Sequence, residues 1–141
     1  MTRAPHESSK CWRKAMSLTV WVYRLSARLP AEEKSGLSAA MRRAATAVAQ
    51  KCADADGRAE VGDAIKNYEA ALASLRELLT SALICRRLKY IRHVHLSGLR
   101  RRIARVESLI DDDLQACLDE QDEKQAAEAP APPPIPIRRA A

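Results

Sequence analysis

Four apolar stripes at helical spacing, cut apart by proline and glycine, leave this chain few ways to fold. Cys11, Ala15, Leu18, Val22, Leu25 and Leu29 advance in steps of three and four, which keeps them on one helical face. Ser8 or Ser9 can cap the start of that run, and Pro30 stops it. Gly36 precedes a second stripe of Leu37, Met41, Ala44, Val48, Cys52 and Ala55, which the turn signal Asp56-Gly57 ends. The third stripe is Val61, Ile65, Tyr68, Leu72, Leu75, Leu79 and Ala82, running to about Arg87, with Leu88 to Arg92 as a short connector. Leu96, Leu99, Ile103, Val106, Ile110, Leu114 and Cys117 make the fourth. Gly98 weakens that last helix by about 1 kcal/mol relative to alanine, which leaves room for fraying between His93 and Gly98.

Helices of roughly 20 residues are about 30 Å long. Joined by short loops, four of them bury their stripes by running antiparallel. The sequence therefore predicts an all-α fold, an up-down-up-down four-helix bundle. The scarcity of glycine (4) and the lack of phenylalanine agree with helices rather than sheet. Residues 1–8 read as a flexible N-terminus, 9–120 as the bundle and 121–141 as a disordered tail, Ala-rich and acidic and then Pro-rich. Within the tail, Pro133, Pro136 and Arg138 fit a PxxPxR ligand pattern, although such tails are common without that use. No signal peptide or membrane-length apolar run occurs, so a soluble, cytoplasmic protein is expected.

Charge is distributed far less evenly than the stripes. Arg86, Arg87, Lys89, Arg92, Arg100, Arg101, Arg102 and Arg105 lie within twenty residues that hold no acid. The whole chain has 24 Lys+Arg against 18 Asp+Glu, a net +6, so this cluster exceeds the entire surplus. The sign then reverses through Asp111-Asp112-Asp113 and the acids up to Glu128. Antiparallel packing would gather the cluster with Arg24, Arg28, Lys34, Arg42 and Arg43 at one pole. The acidic run, with Asp54, Asp56, Glu60 and Asp63 and softened by Lys10, Arg13, Lys14, Lys51 and Arg58, would lie at the other. Cations near the start of the fourth helix and anions near its end oppose its dipole, so local helix energetics did not select the pattern. A concentrated basic surface is the usual footprint of a polyanion partner, RNA or DNA, held mostly through phosphates.

The first helix carries a second stripe, Trp12, Met16, Thr19 and Tyr23, with Trp21 on the flank. A helix apolar on two faces is normally buried on both, which predicts a homo-oligomer seated on that stripe. Small residues along the third helix, Ala64, Ala71, Ser74 and Ser81, would admit close approach by another helix. The alternative is Trp12 packed beneath its own chain.

Catalytic and metal signatures are missing. His93 and His95 fall about 200° apart on a helix, no Glu-x-x-His occurs, and the four cysteines form no Cys-x-x-Cys pair. No Gly-rich phosphate loop or nucleophile elbow is present either. The expectation is a non-catalytic binding protein without metal or cofactor.

Several ordered segments carry a family resemblance. Leu18-Thr19-Val20-Trp21 is followed by Leu29-Pro30, Glu33, Gly36-Leu37 and Met41-Arg42-Arg43-Ala44-Ala45. Gly57-Arg58, Ala73-Ser74-Leu75-Arg76-Glu77-Leu78, Thr80 and Leu88-Lys89-Tyr90-Ile91 complete the series. In order and spacing, over about residues 12 to 118, these resemble the four-helix-bundle proteins encoded by intervening sequences in bacterial large-subunit ribosomal RNA genes. More distantly, they are similar to the accessory variability proteins of diversity-generating retroelements. Ala49 to Ala55 departs from the Pro-x-Asn-Ile-Ala-Glu-Gly run usual in the family. The resemblance implies a ring-like homopentamer. Its retroelement branch implies a basic surface engaging nucleic acid and a reverse transcriptase. Two readings follow: a nucleic-acid-binding oligomer, or a protein–protein scaffold in which the arginines pair with a neighbour's Asp111 to Asp113.

Overall fold

A computed structural model describes residues 2–140. Its helices are α1 (Lys10–Ser26), α2 (Leu37–Asp56), α3 (Val61–Arg87) and α4 (His93–Glu128), with short 3-10 turns at Pro5–Ser8 and Ala31–Glu33. No strand occurs among the described residues. Each helix packs on its chain neighbours and α4 returns to α1, giving the up-down-up-down bundle. The seam between α2 and α3 is the most extensive and that between α1 and α4 the thinnest.

The four stripes form most of the core, although Leu72, Leu79 and Leu114 are only partly buried and Leu78, outside the third stripe, is fully buried. Leu18, Val22, Met41, Val48, Leu75, Leu78, Leu99, Val106 and Ile110 are all but inaccessible to solvent. Sequence periodicity thus converts directly into packing, with each buried Leu or Val side chain contributing about 1.5–3 kcal/mol relative to exposure. The small residues of α3 serve this internal packing: Ala64 and Ala71 are buried within the monomer, Ala71 completely.

Helix ends are set by local chemistry. Ser9 Oγ accepts from the Trp12 N–H at 3.2 Å and so caps α1. At α2 the cap comes from outside the helix, where Glu33 Oε2 accepts from the Leu37 N–H at 3.0 Å. A Cβ on Gly36 would fall 2.5 Å from that oxygen, so glycine leaves the carboxylate its place. The end of α3 is a Schellman turn: Tyr90 N–H bonds Cys85 O at 2.9 Å and Lys89 N–H bonds Arg86 O at 3.1 Å. Lys89 takes the left-handed position at φ 63°, where glycine is usual.

Both segments flanking the predicted bundle carry some helical structure. The segment expected to be a flexible N-terminus folds back at Pro5–Ser8 onto α1 and α2, and His6 meets Trp12 edge-on with ring centroids 5.1 Å apart. Met1 and Ala141, the ends of the predicted N-terminus and tail, lie outside the described residues. At the other end, α4 continues past residue 120 to Glu128, although 121–128 were assigned to the tail. Periodicity was the wrong criterion there. Glu, Gln, Lys and Ala are strong helix formers, and Glu120–Lys124 at 2.9 Å adds an i,i+4 pair. From Ala131 to Ala140 the chain is exposed and has no regular secondary structure. Helix α4 is continuous from His93, with no break at Gly98.

Candidate functional site

The thin α1/α4 seam is where the charges meet. On α1, Lys14, Ser17, Trp21 and Arg24 share a face through spacings of three, four and three. Across from them, α4 presents Arg101, Arg102 and Arg105. A pocket of about 300 Å³ opens between Lys14, Ser17, Arg101, Arg102 and Arg105 over a floor of Leu18 and Val106. Beside it, Met16, Ser17, Val20, Trp21, Arg24 and Arg102 line a second pocket of about 440 Å³. Ser17 and Arg102 belong to both, so the two form one groove.

Arg102 is the fixed element of this groove. Its guanidinium lies 4.5 Å over the Trp21 ring, and one of its terminal nitrogens donates to Gly98 O at 3.1 Å. The indole packs against residue 98, where glycine leaves it a little extra room. A Cβ there would stand 3.3 Å from Trp21 Cζ2 and 3.4 Å from the Arg102 guanidinium. Neighbouring Arg101 and Arg105 are exposed. Arg100 is exposed as well, but it lines neither pocket.

The remaining predicted cations disperse around this groove. Arg42 is half-buried and bolted to the end of α1: its Nε donates to Ser26 Oγ at 2.8 Å and its guanidinium lies 4.7 Å over Tyr23. Arg43 faces the α1/α2 side, beside Tyr23 and Gln50. Arg86 is half-buried, whereas Arg87, Lys89 and Arg92 are exposed around the α3/α4 turn. At that turn His95 Nδ1 accepts from the Arg92 N–H at 3.2 Å, and its Nε2 lies 3.0 Å from Arg28. A neutral imidazole has one acceptor nitrogen, so the ring serves one of these arginines at a time.

The expected cap at one pole is therefore corrected to a stripe. It starts at the α3/α4 turn and descends the α1/α4 seam for about 20 Å, the rise from residue 92 to residue 105. Lys14, assigned to the acidic pole, belongs to this stripe instead. Lys14, Ser17 and Trp21 were not singled out as site residues. Their shared face with Arg24 was legible in the spacing, but it was overshadowed by the arginine run on α4.

The stripe is not neutralised from within. Among the described residues the sole side-chain ion pair within 4.0 Å is Lys124–Glu120, on the far part of α4. The acids collect elsewhere, in a pocket of about 570 Å³ that includes Cys11, Asp56, Tyr68, Asp112, Asp113 and Cys117. There Tyr68 Oη donates to Asp56 Oδ1 at 2.7 Å, while Asp56 Oδ2 is buried without a partner. Burial, followed by the Asp56 and Asp112 charges, raises Asp113 above the usual carboxylate range. Burial and the bond to Asp56 likewise push the Tyr68 hydroxyl well up. Cys11 Sγ touches Cys52 Sγ at 3.0 Å, and that contact, then burial, holds the Cys11 thiol protonated. Among the described residues no group of three His, Cys, Asp or Glu could hold a metal ion.

The predicted oligomer stripe divides. Trp12 is half-buried against His6, as in the alternative of a tryptophan covered by its own chain. Thr19 is committed internally, its single hydroxyl proton facing Ala15 O at 2.8 Å and Ala45 O at 3.1 Å. Met16 and Tyr23 remain outside, 40% and 45% exposed, and Val20 joins them at 48%. No described helix is long and apolar enough to cross a membrane.

Fold and site together define a small antiparallel helical bundle with an unneutralised cationic groove between its first and last helices. The chain belongs to the family of 23S rRNA-intervening sequence proteins, whose family model matches residues 7–112. Its fold is similar to the crystal structure of a protein of unknown function from the S23 ribosomal protein family of Bacteroides thetaiotaomicron. That likeness has a TM-score of 0.69 at 18% identity, covering 74% of this chain and 95% of the other. No curated protein matches the chain.

Proposed function

We propose that this protein is a non-catalytic homo-oligomer that binds nucleic acid through the basic stripe. The observation that carries the reading is the α1/α4 seam, where Lys14 faces Arg101 and Arg105 with no carboxylate of the same chain paired to any of them. Like charges across a seam repel, and an intervening phosphate converts that repulsion into attraction. The name of the matching family, tied to a ribosomal RNA gene, supports an RNA context. Exposed Met16, Val20 and Tyr23 form an apolar strip suited to a second copy, which supports the homo-oligomer. The pentameric count and a reverse-transcriptase partner rest on the resemblance alone.

A salt titration tests the binding. Affinity for a mixed-sequence RNA should fall steeply with salt, and Arg101→Glu with Arg105→Glu should flatten the log–log slope by about two. If the double reversal instead dissolves the oligomer and the unaltered chain never binds RNA or DNA, the protein is a scaffold whose arginines meet a neighbour's Asp111 to Asp113. For self-association, Met16→Ser with Tyr23→Ser should lower the mass measured by light scattering. A monomeric mass before the change would remove the oligomer from the reading.

A further inference from the structure

We infer that the α1/α4 groove holds a nucleotide unit of a single strand, with its base stacked on the Arg102 guanidinium and its phosphates between Lys14, Arg101 and Arg105. This deepens the nucleic-acid reading and rests on it. The remainder of the basic stripe needs only phosphate, so it would accept single strands and duplexes alike. Arg102 is different because its plane is fixed before any ligand arrives: Trp21 supports one face at 4.5 Å and Gly98 O holds one edge at 3.1 Å. A guanidinium seated over an indole, and lining both pockets, is in place to take a second flat group. Nucleic-acid bases stack on arginine planes as they do on aromatic rings.

The surroundings match that unit in kind and size. Arg102 lies where the two pockets join, so one flank carries Lys14, Arg101 and Arg105, and the other carries Arg24, whose guanidinium can donate to the edge of a base. A phosphate suits the first flank and the edge of a base the second. Pockets of about 300 and 440 Å³ have room for one nucleotide. In a duplex the bases are stacked on one another and present no free face, so the platform selects unpaired strand. At Gly98 a methyl group would crowd the indole mildly, at 3.3 Å, and only touch the guanidinium, at 3.4 Å.

The test compares a short deoxyoligoadenylate, an abasic strand of the same length and charge, and the oligoadenylate annealed to its complement, each with the full chain at fixed salt. The unaltered protein should bind oligoadenylate about tenfold more tightly than either of the others. Arg102→Lys keeps the charge but loses the plane. It should weaken oligoadenylate by about tenfold while leaving the abasic strand within about twofold. Should circular dichroism show Arg102→Lys unfolded, Trp21 fluorescence in a Trp12→Phe chain supplies the second readout. It should change on adding oligoadenylate and stay constant with the abasic strand. Equal binding of oligoadenylate and abasic strand overturns the stacking platform while leaving phosphate binding intact. Binding of no strand at all overturns both.

Discussion

The two charged regions of this bundle fail to neutralise themselves in different ways. In the α1/α4 groove the cations line open pockets, and the one that is half-buried, Arg102, rests on Trp21. In the acidic pocket two carboxylates are partly sunk inward: Asp56 Oδ2 is buried without a partner and Asp113 holds its proton more tightly than a free carboxyl. A solvated charge costs the fold little and remains available to a ligand, whereas a desolvated one costs stability. The groove is therefore a place for recognition, and the acidic pocket is a place where stability depends on pH.

Four variants put that contrast at risk. The largest effect should come from reversing Arg101 and Arg105 to Glu, which should weaken RNA binding on the order of a hundredfold with little change in thermal midpoint. A collapse of the midpoint would mean the groove is structural. Next, Tyr68→Phe removes the donor to Asp56 Oδ1 and should destabilise the fold by about 1–3 kcal/mol in urea titration. Unchanged stability there would show that the acidic pocket bears no such load.

A smaller effect is expected at the turn between the regions' shared helix and α3. Lys89→Gly relieves a left-handed lysine and should stabilise by about 1 kcal/mol, while reducing the salt slope of binding by about one. Gain of stability without loss of binding would separate Lys89 from the stripe. The smallest effect concerns Asp113. Because its carboxyl is raised in the folded state, the folded chain keeps a proton that the unfolded chain has released as pH climbs above the ordinary carboxylate value of 3.8. Stability should fall as pH rises through that window, and Asp113→Asn should raise the midpoint at neutral pH and remove this acid-side slope. A variant that is less stable at neutral pH would contradict the assigned burial.

Most of the fold was legible because its stripes are long and regular. Cys11 through Leu29 and Leu96 through Ile110 became core as their spacing requires. What escaped has no apolar period. The overhang of α4 from 121 to 128 is held by propensity and by Glu120–Lys124, and the N-terminal turn is held against α1 by the contact of His6 with Trp12. The site was half legible. A run of arginines is visible in one dimension, but its opposite bank is contributed by Lys14 and Trp21, about eighty residues away, and only the helix pairing brings them together. Thr19 shows the opposite error: its place in an apolar-looking series concealed a hydroxyl already shared between Ala15 O and Ala45 O.

The length of α4 has a consequence for encounter. Its early turns are cationic and its final turns, which reach beyond the core, are anionic, so one rigid rod carries opposite charge at its two ends. Near a polyanion this rod experiences a torque before contact. Collisions would begin with the arginine end leading and the overhang trailing, and that alignment would weaken as added electrolyte shortens the reach of the field.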